Sequence, residues 1–504
     1  MKNIRIIPRL DVKNHNLVKG INLEGLRVLG LPEKFSQYYY KNGADELIYI
    51  DMVASLYGRN HLEKIVKRTA QNVFIPIVVG GGIRTVEDIY KLLRAGADKV
   101  AINTQAIKNP KLIEKAAKTF GSQCIVISIQ AMKISEGKYE AYTDTGREPT
   151  GKDVIEWAKQ VVDLGAGELL ITSIDQEGTC DGYDIDLFSK ISDSVNIPVI
   201  ACGGAGKKEH ILEVINNTNV DAVSASSIFH YHIVQKFGAE SRNGGNIEYI
   251  KDFIKKGSSI LTKLSPVSVS QVKQYLKNNN INVVLEKFSK KIVSNPIIKK
   301  KSVTIVDYGL GNIFSVIHAL ENVGTNIIIT NNPSDIKKSD YLVIAGVGAF
   351  GDGTAQLKKK QLIDPIIKHV YDGKPLLGIC LGMQLFMEIG EEFGIHEGLK
   401  LIKGKTIKLS IKGKNIKLPH IGWNRLIIHK DINILNNIPS NSLMYFVHSY
   451  FIQPEDKNLI AAETTYGENT FCSVINKDNI FGCQFHPEKS GEIGLKIYKN
   501  FIEC

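Results

Sequence analysis

Cys380 stands in the stretch Gly378-Ile379-Cys380-Leu381-Gly382-Met383-Gln384, directly after an apolar run, 375–379, of strand length. A nucleophile at a strand-to-helix turn is presented to substrate. The flanking glycines permit the tight turn, and the start of the amphipathic helix expected after it favours a thiolate. Far along the chain, Gly482-Cys483-Gln484-Phe485-His486-Pro487-Glu488 supplies an imidazole with a carboxylate two residues on. These three residue types make a covalent hydrolase: Cys380 attacks, His486 serves as base and then acid, and Glu488 holds the imidazole. Taken singly, each reads more simply as packing, a core thiol or a satisfied histidine. The combination is what points to chemistry.

A second set sits in the first half. Gly80-Gly81-Gly82 and Gly203-Gly204 each follow an apolar run, and the next runs end in Asn103-Thr104 and Ser226-Ser227. Backbone N–H groups free of side-chain crowding can cradle a phosphate, so Gly81, Gly82, Asn103 and Thr104 predict one cup and Gly203, Gly204, Ser226 and Ser227 another. Two like cups predict a ligand with two phosphates. Opposite Gly80, the run Arg9-Leu10-Asp11-Val12-Lys13 ends the first strand with a carboxylate.

The cups recur because the region recurs, at an offset of about 120 residues. Gly43-Ala44-Asp45-Glu46-Leu47-Ile48 returns as Gly165-Ala166-Gly167-Glu168-Leu169-Leu170, and Ile75-Pro76-Ile77-Val78 as Ile197-Pro198-Val199-Ile200. Each copy repeats an apolar strand, a loop and an amphipathic helix, 86–93 before the strand 99–102 as 210–215 before 222–224. Such alternation requires a parallel sheet, and four units per copy make eight, the number at which the sheet closes into a (β/α)8 TIM barrel. An open doubly wound sheet is the structural alternative.

The regularity lapses over 231–266, where Gly238-Ala239-Glu240-Ser241-Arg242-Asn243-Gly244-Gly245 reads as a surface loop, and a helical pattern resumes at 268–277. Residues 286–302, with Ser294-Asn295-Pro296 and a lysine run, read as a linker between a first domain, 1–285, and a second, 303–504. The second opens with a buried strand running into a glycine turn, Val303-Thr304-Ile305-Val306-Asp307-Tyr308-Gly309. Further strands at 341–344 and 376–379 indicate another α/β sheet.

A chain of 504 residues exceeds one ordinary core. Its 43% hydrophobic and 23% charged residues are ordinary for a globular protein, and no apolar run is long enough to span a bilayer. The opening Met1-Lys2-Asn3-Ile4-Arg5-Ile6-Ile7-Pro8 reads as a strand rather than a signal peptide, so the expectation is a cytoplasmic protein. Seven cysteines without close pairing fit reduced thiols, and no cluster has zinc spacing. Nothing points to a metal, haem, flavin or nicotinamide cofactor. The net charge of +11 lies largely in tracts such as Lys299-Lys300-Lys301 and Lys358-Lys359-Lys360, which read as solvated surface. No aromatic-interleaved basic motif suggests a nucleic-acid partner.

With GxCxGxQ after a strand and FHPE near the end, residues 303–504 resemble the class I glutamine amidotransferases. The resemblance implies hydrolysis of the glutamine side-chain amide through a glutamyl thioester, with release of ammonia. It implies that Gly346, Val347 and Gly348 form the oxyanion strand, with Ala345 in place of the usual proline, and that Gln384 and Glu392 bind glutamine. Segments 419–424 and 445–450 match stretches near the family's site. Residues 1–285 resemble the cyclase half of imidazole glycerol phosphate synthase, so the whole chain looks like both halves fused, cyclase first. That resemblance implies a bisphosphorylated nucleotide as ammonia acceptor, Asp11 as principal acid and base, and Lys19 in a mobile first loop. It also implies an ammonia gate of Arg5, Glu46, Lys99 and Glu168, and an interdomain contact between Asp98 and Lys489.

The departures gather at the cyclase site. Gln130, in Ile127-Ser128-Ile129-Gln130-Ala131, stands where the family has its second catalytic carboxylate, and an amide does not exchange a proton near neutral pH. Arg9 replaces a small residue and Glu177 an aspartate. Three readings follow. The barrel is a cyclase of histidine biosynthesis. Alternatively, it passes ammonia to a partner enzyme, as in relatives that form acetamidino sugars for surface polysaccharides. In the third, it is a ligand sensor controlling the glutaminase.

Overall fold

Side chains alternate between the two faces of a strand, and in the first half this alternation sets the architecture. Its strands are β1 (Arg5–Lys13), β2 (Leu47–Asp51), β3 (Ile77–Gly80), β4 (Lys99–Ile102), β5 (Ile125–Ser135), β6 (Glu168–Ser173), β7 (Val199–Cys202) and β8 (Ala222–Ala225). Each pairs in parallel with the next, β8 pairs with β1, and the ring is a closed eight-stranded barrel. The open-sheet alternative is excluded by that closure. Every strand sends one residue into a common apolar layer: Ile7, Ile48, Val78, Ala101, Val126, Leu170, Ile200 and Ala222. Two residues along a strand returns to the same face, so Arg5 lies on one side of this layer and Arg9 and Asp11 on the other.

The computed structural model describes residues 3–54, 62–238, 262–285, 302–411 and 416–504. Contacts divide the chain into two compact units, Met1–Ala116 with Ile125–Phe288 and Ala117–Cys124 with Ser289–Cys504. The expected loop at 238–245 lies outside the described residues from 239 onward, as does the expected linker up to Ser302. The helix expected at 268–277 is Val269–Asn278, opened by a Ser268 and Gln271 capping box. A hairpin, Asn16–Ile21 with Glu24–Gly30, extends β1 at the mouth of the barrel.

The second unit is built on a nine-stranded sheet. Its parallel part runs β10 (Asn326–Thr330), β9 (Ser302–Val306), β11 (Tyr341–Gly346), β12 (Leu376–Cys380) and β13 (Ile480–Cys483). Antiparallel strands Asn469–Lys477, Ile460–Tyr466, His420–Ile428 and Ser442–His448 complete it. The register matters for chemistry: Gly346 on β11 faces Cys380 on β12, and Ile379 faces Cys483 on β13. Neighbouring parallel strands bring their C-terminal ends to one edge, so turns far apart in sequence meet there.

The helix expected after Cys380 is only Leu381–Gln384. Leu381, Met383, Leu385, Phe386 and Met387 are all buried, so the segment has no polar face for an amphipathic helix to offer solvent. The chain turns instead into a short strand, Ile389–Gly390, of a separate four-stranded sheet.

Candidate active site

Cys380 ends β12 with φ +52°, a left-handed conformation that a side chain adopts at a cost of about 1–3 kcal/mol. The surroundings hold it there. A Cβ on Gly382 would overlap the Ile344 carbonyl oxygen, and one on Gly378 the Phe386 ring. Only glycine on both sides lets the strand, the turn and the returning chain approach so closely, which is the physical content of the GxCxG spacing.

His486 and Glu488 lie just past the adjacent strand β13. The His486 Nδ1–H donates to Glu488 Oε1 at 2.7 Å, and the Tyr498 hydroxyl donates to the other carboxylate oxygen at 3.0 Å. The remaining imidazole nitrogen, Nε2, has no other partner among the described residues and interacts with the Cys380 sulfur. All three groups are at most 4% exposed. Burial disfavours the imidazolium, but Glu488 and Cys380 outweigh it and hold His486 well above the ordinary imidazole range. Burial likewise disfavours the Glu488 carboxylate, yet His486 keeps it below the usual carboxylate range. The arrangement gives a nucleophile, a proton carrier in its acid form, and an anion fixing the ring.

Around the nucleophile, Gly346 ends β11 beside Cys380, and Val347 and Gly348 follow it directly. Glu392 accepts the Phe350 N–H at 2.9 Å, and burial pushes its carboxyl up to about 7. Gln384 does not point its whole amide toward a substrate: its nitrogen donates to the Tyr450 carbonyl at 2.8 Å and to Gln484 Oε1 at 3.2 Å. Of the aromatic segments, His420 stacks on Tyr466 and Phe446 and contacts His448, all within the domain's packing.

In the barrel the four expected gate residues close into a ring at the N-terminal ends of the strands. Arg5 bonds Glu46 at 2.8 Å and Glu168 at 2.5 Å, and Lys99 contacts the same two carboxylates at 2.5 Å each. Burial raises Glu46 above the usual carboxylate range, whereas at Glu168 the burial effect is outweighed by Arg5 and Lys99.

The opposite end holds Asp11, but not as a free acid. Arg9 Nε donates to Asp11 Oδ1 at 2.8 Å, and Arg9 Nη1 reaches across to Thr172 Oγ1 at 3.1 Å and Cys202 Sγ at 3.4 Å. Although burial opposes its charge, Asp11, Cys202 and Glu177 hold the Arg9 guanidinium charged above its usual range. Lys19 is not in an open loop; it sits on the hairpin, buried and paired with Glu177, and the Asn22 N–H donates to the Glu177 carbonyl at 2.6 Å.

The two expected phosphate cups have different surroundings among the described residues. Gly81, Gly82, Asn103 and Thr104 line a cavity of about 140 Å³ together with Arg84, Lys108 and Gln130. Gln130 is 8% exposed, and its Oε1 has no hydrogen-bond partner among the described residues. Gly203, Gly204, Ser226 and Ser227 are buried, with the Gly204 carbonyl accepting from Gly182 N–H at 2.9 Å and the Ser226 hydroxyl donating to the Arg9 carbonyl at 3.0 Å. The glycine turns expected from the repeat are present in both copies, and Glu177 and Gly182 lie against the second of them. Asp98 accepts the Ile77 N–H at 2.8 Å, and Lys489 lies buried in the turn Pro487–Lys489.

Comparison with known proteins places both halves. Residues 5–235 match the family model described as "Histidine biosynthesis protein", and residues 304–504 the model "Glutamine amidotransferase class-I". The chain is 61% identical over 209 residues to "Imidazole glycerol phosphate synthase subunit HisF" of Legionella pneumophila, spanning 42% of this chain and 99% of that protein. It is 55% identical over 227 residues to the protein of the same name in Bacillus cereus (strain G9842), spanning 45% of this chain and 90% of that one. The chain belongs to the imidazole glycerol phosphate synthase family. It is an enzyme of the fused type, with a HisF-like cyclase domain first and a class I glutamine amidotransferase domain after it.

Within this family member, sequence reasoning missed two polar groups at the nucleophile. Tyr498 steadies Glu488, and its only signal is an i+10 position on the terminal helix Gly491–Ile502. Gln484 approaches Cys380, and its signal was its place inside the same short motif as His486. Among the described residues no helix is long and apolar enough to cross a membrane, and no group of His, Cys, Asp and Glu is arranged to hold a metal ion.

Proposed function

We propose that the chain hydrolyses glutamine at Cys380 and channels the ammonia through its barrel to a bisphosphorylated nucleotide, giving imidazole glycerol phosphate and the aminoimidazole carboxamide by-product in histidine biosynthesis. The observation that carries the first half is the buried Cys380, His486 and Glu488 set at the ends of adjacent strands. In this reading Cys380 attacks the amide carbon, N–H groups of the 346–348 strand stabilise the oxyanion, and His486 delivers a proton to the departing nitrogen. Water then attacks the thioester with His486 as base. The ring of Arg5, Glu46, Lys99 and Glu168 is the gate that ammonia passes. Asp11 is the acid and base at the mouth, and the cups bind the two phosphates. The domains are 1–285 and 303–504, and a cytoplasmic setting fits seven cysteines among which the described residues form no disulfide.

A second reading is favoured by the mouth itself. Asp11 is clamped by Arg9, and Gln130 cannot carry a proton, so the barrel is poorly equipped for acid–base work. Here it would hand ammonia to a separate enzyme, in acetamidino-sugar formation. Both readings are tested by incubating the full chain with glutamine and the bisphosphorylated nucleotide. Imidazole glycerol phosphate at a rate matching glutamate release supports the cyclase, and Cys380→Ser should retain product formation from ammonium salts while losing it from glutamine. Glutamate release that ignores the nucleotide and rises with a partner enzyme supports the conduit.

A further inference from the structure

Gln484 takes no part in the triad, yet its amide nitrogen lies 3.6 Å from the Cys380 sulfur. Which end of that amide faces the sulfur follows from a chain of contacts anchored on a group with a single role. The Tyr450 carbonyl can only accept, so the Gln384 atom 2.8 Å from it is nitrogen. The same nitrogen lies 3.2 Å from Gln484, whose facing atom must therefore be the oxygen, and the Gln484 N–H is left directed at Cys380. Gln484 is fully buried and Gln384 nearly so, which leaves neither amide room to turn over.

Two polar neighbours of the sulfur thus differ in kind, an imidazole that exchanges its proton and an amide that does not. A neutral thiol gains little from an amide N–H, whereas a thiolate gains a charge-assisted hydrogen bond. Such a contact acts on the ionisation of the thiol and on its departure when the thioester C–S bond breaks and the electron pair returns to sulfur. The four-residue helix after Cys380 makes this donor matter more, since so short an element contributes little dipole.

We propose that Gln484, oriented by Gln384 and the Tyr450 carbonyl, is a catalytic residue that donates a hydrogen bond to the Cys380 thiolate and favours its formation in a buried site. The proposal rests on Cys380 being the nucleophile, and its test reads the thiol directly rather than glutamine turnover. The full chain is alkylated with iodoacetamide across a pH series, and modification is followed at the peptide carrying Cys380. Gln484→Met keeps the packing volume and removes the donor; the alkylation midpoint should rise by about one pH unit, a roughly tenfold loss of thiolate below it. Gln484→Glu places a carboxylate against the sulfur and should raise the midpoint further. Gln384→Leu, which frees the Gln484 amide without touching it, should give a smaller rise and serves if Gln484→Met does not fold. An unchanged midpoint in folded Gln484→Met or Gln384→Leu, or equal rises in Met and Glu variants, overturns the proposal. Glutaminase activity surviving in Cys380→Ser would instead remove the reading beneath it.

Discussion

Replacing Lys99 by methionine removes one of the two cations from the ring at the base of the barrel while keeping its length and apolar stem. Lys99 contacts Glu46 and Glu168 at 2.5 Å each, and all three side chains are fully buried. The variant leaves two buried carboxylates sharing Arg5 alone. Breaking a buried ion set in this way leaves an uncompensated charge, with an expected loss of about 3–5 kcal/mol of barrel stability. The pH dependence follows from Glu46, which burial already raises and which loses one of the two cations opposing that rise. A carboxyl with a folded pKa above its unfolded value binds more protons when folded, so its share of stability is present at low pH and lost as pH rises through the folded pKa. The loss caused by Lys99→Met should therefore be largest near about pH 8 and shrink toward about pH 5. Urea unfolding followed by fluorescence measures it, because the chain has only two tryptophans, Trp157 buried in the barrel and Trp423 in the second unit. A Trp423→Phe background makes Trp157 the sole reporter. A loss below about 1 kcal/mol, or one that is the same at both pH values, refutes the account of the ring as mutually dependent buried charges.

Glu488→Gln keeps the shape of the triad but removes the anion that steadies imidazolium, so kcat for glutamate release should fall by about 10²–10⁴-fold, and a loss under threefold contradicts the assigned role. Glu392, pushed up to about 7 by burial, is charged only above that pH; KM for glutamine should fall as pH rises through 7, and Glu392→Gln should flatten the profile. In the barrel, Arg9→Ser combined with Gln130→Asp releases Asp11 and supplies a second carboxylate. Imidazole glycerol phosphate formation from ammonium salts should rise by at least about tenfold if the mouth is limited by proton transfer, and a flat result places the limit elsewhere.

Much of this molecule was legible in one dimension because its signals are local or repetitive. The recurrence of Gly43–Leu47-type and Ile75–Gly82-type segments, each with period-2 strands and helical spacing between, required a parallel sheet and counted its strands. The types and spacing around Cys380 and His486 named the chemistry, since close approach at Gly378 and Gly382 leaves a mark in sequence. The helix after Cys380 is shorter than its spacing predicts, because spacing cannot reveal that both faces of Leu381–Met387 are buried by tertiary packing. The repeat likewise shows both glycine turns but not which neighbours close on them, as Glu177 and Gly182 do on the second.

What the sequence alone determined, then, is which groups this protein owns and which elements carry them. Tertiary structure decided which groups meet. Hydrogen bonding between β12 and β13 sets Cys380 beside residues more than a hundred positions away, and barrel closure lets Arg9 on β1 reach Thr172 on β6 and Cys202 on β7. Ionisation follows from those meetings, because the charge a buried side chain can hold depends on its neighbours in space, and no local pattern specifies them.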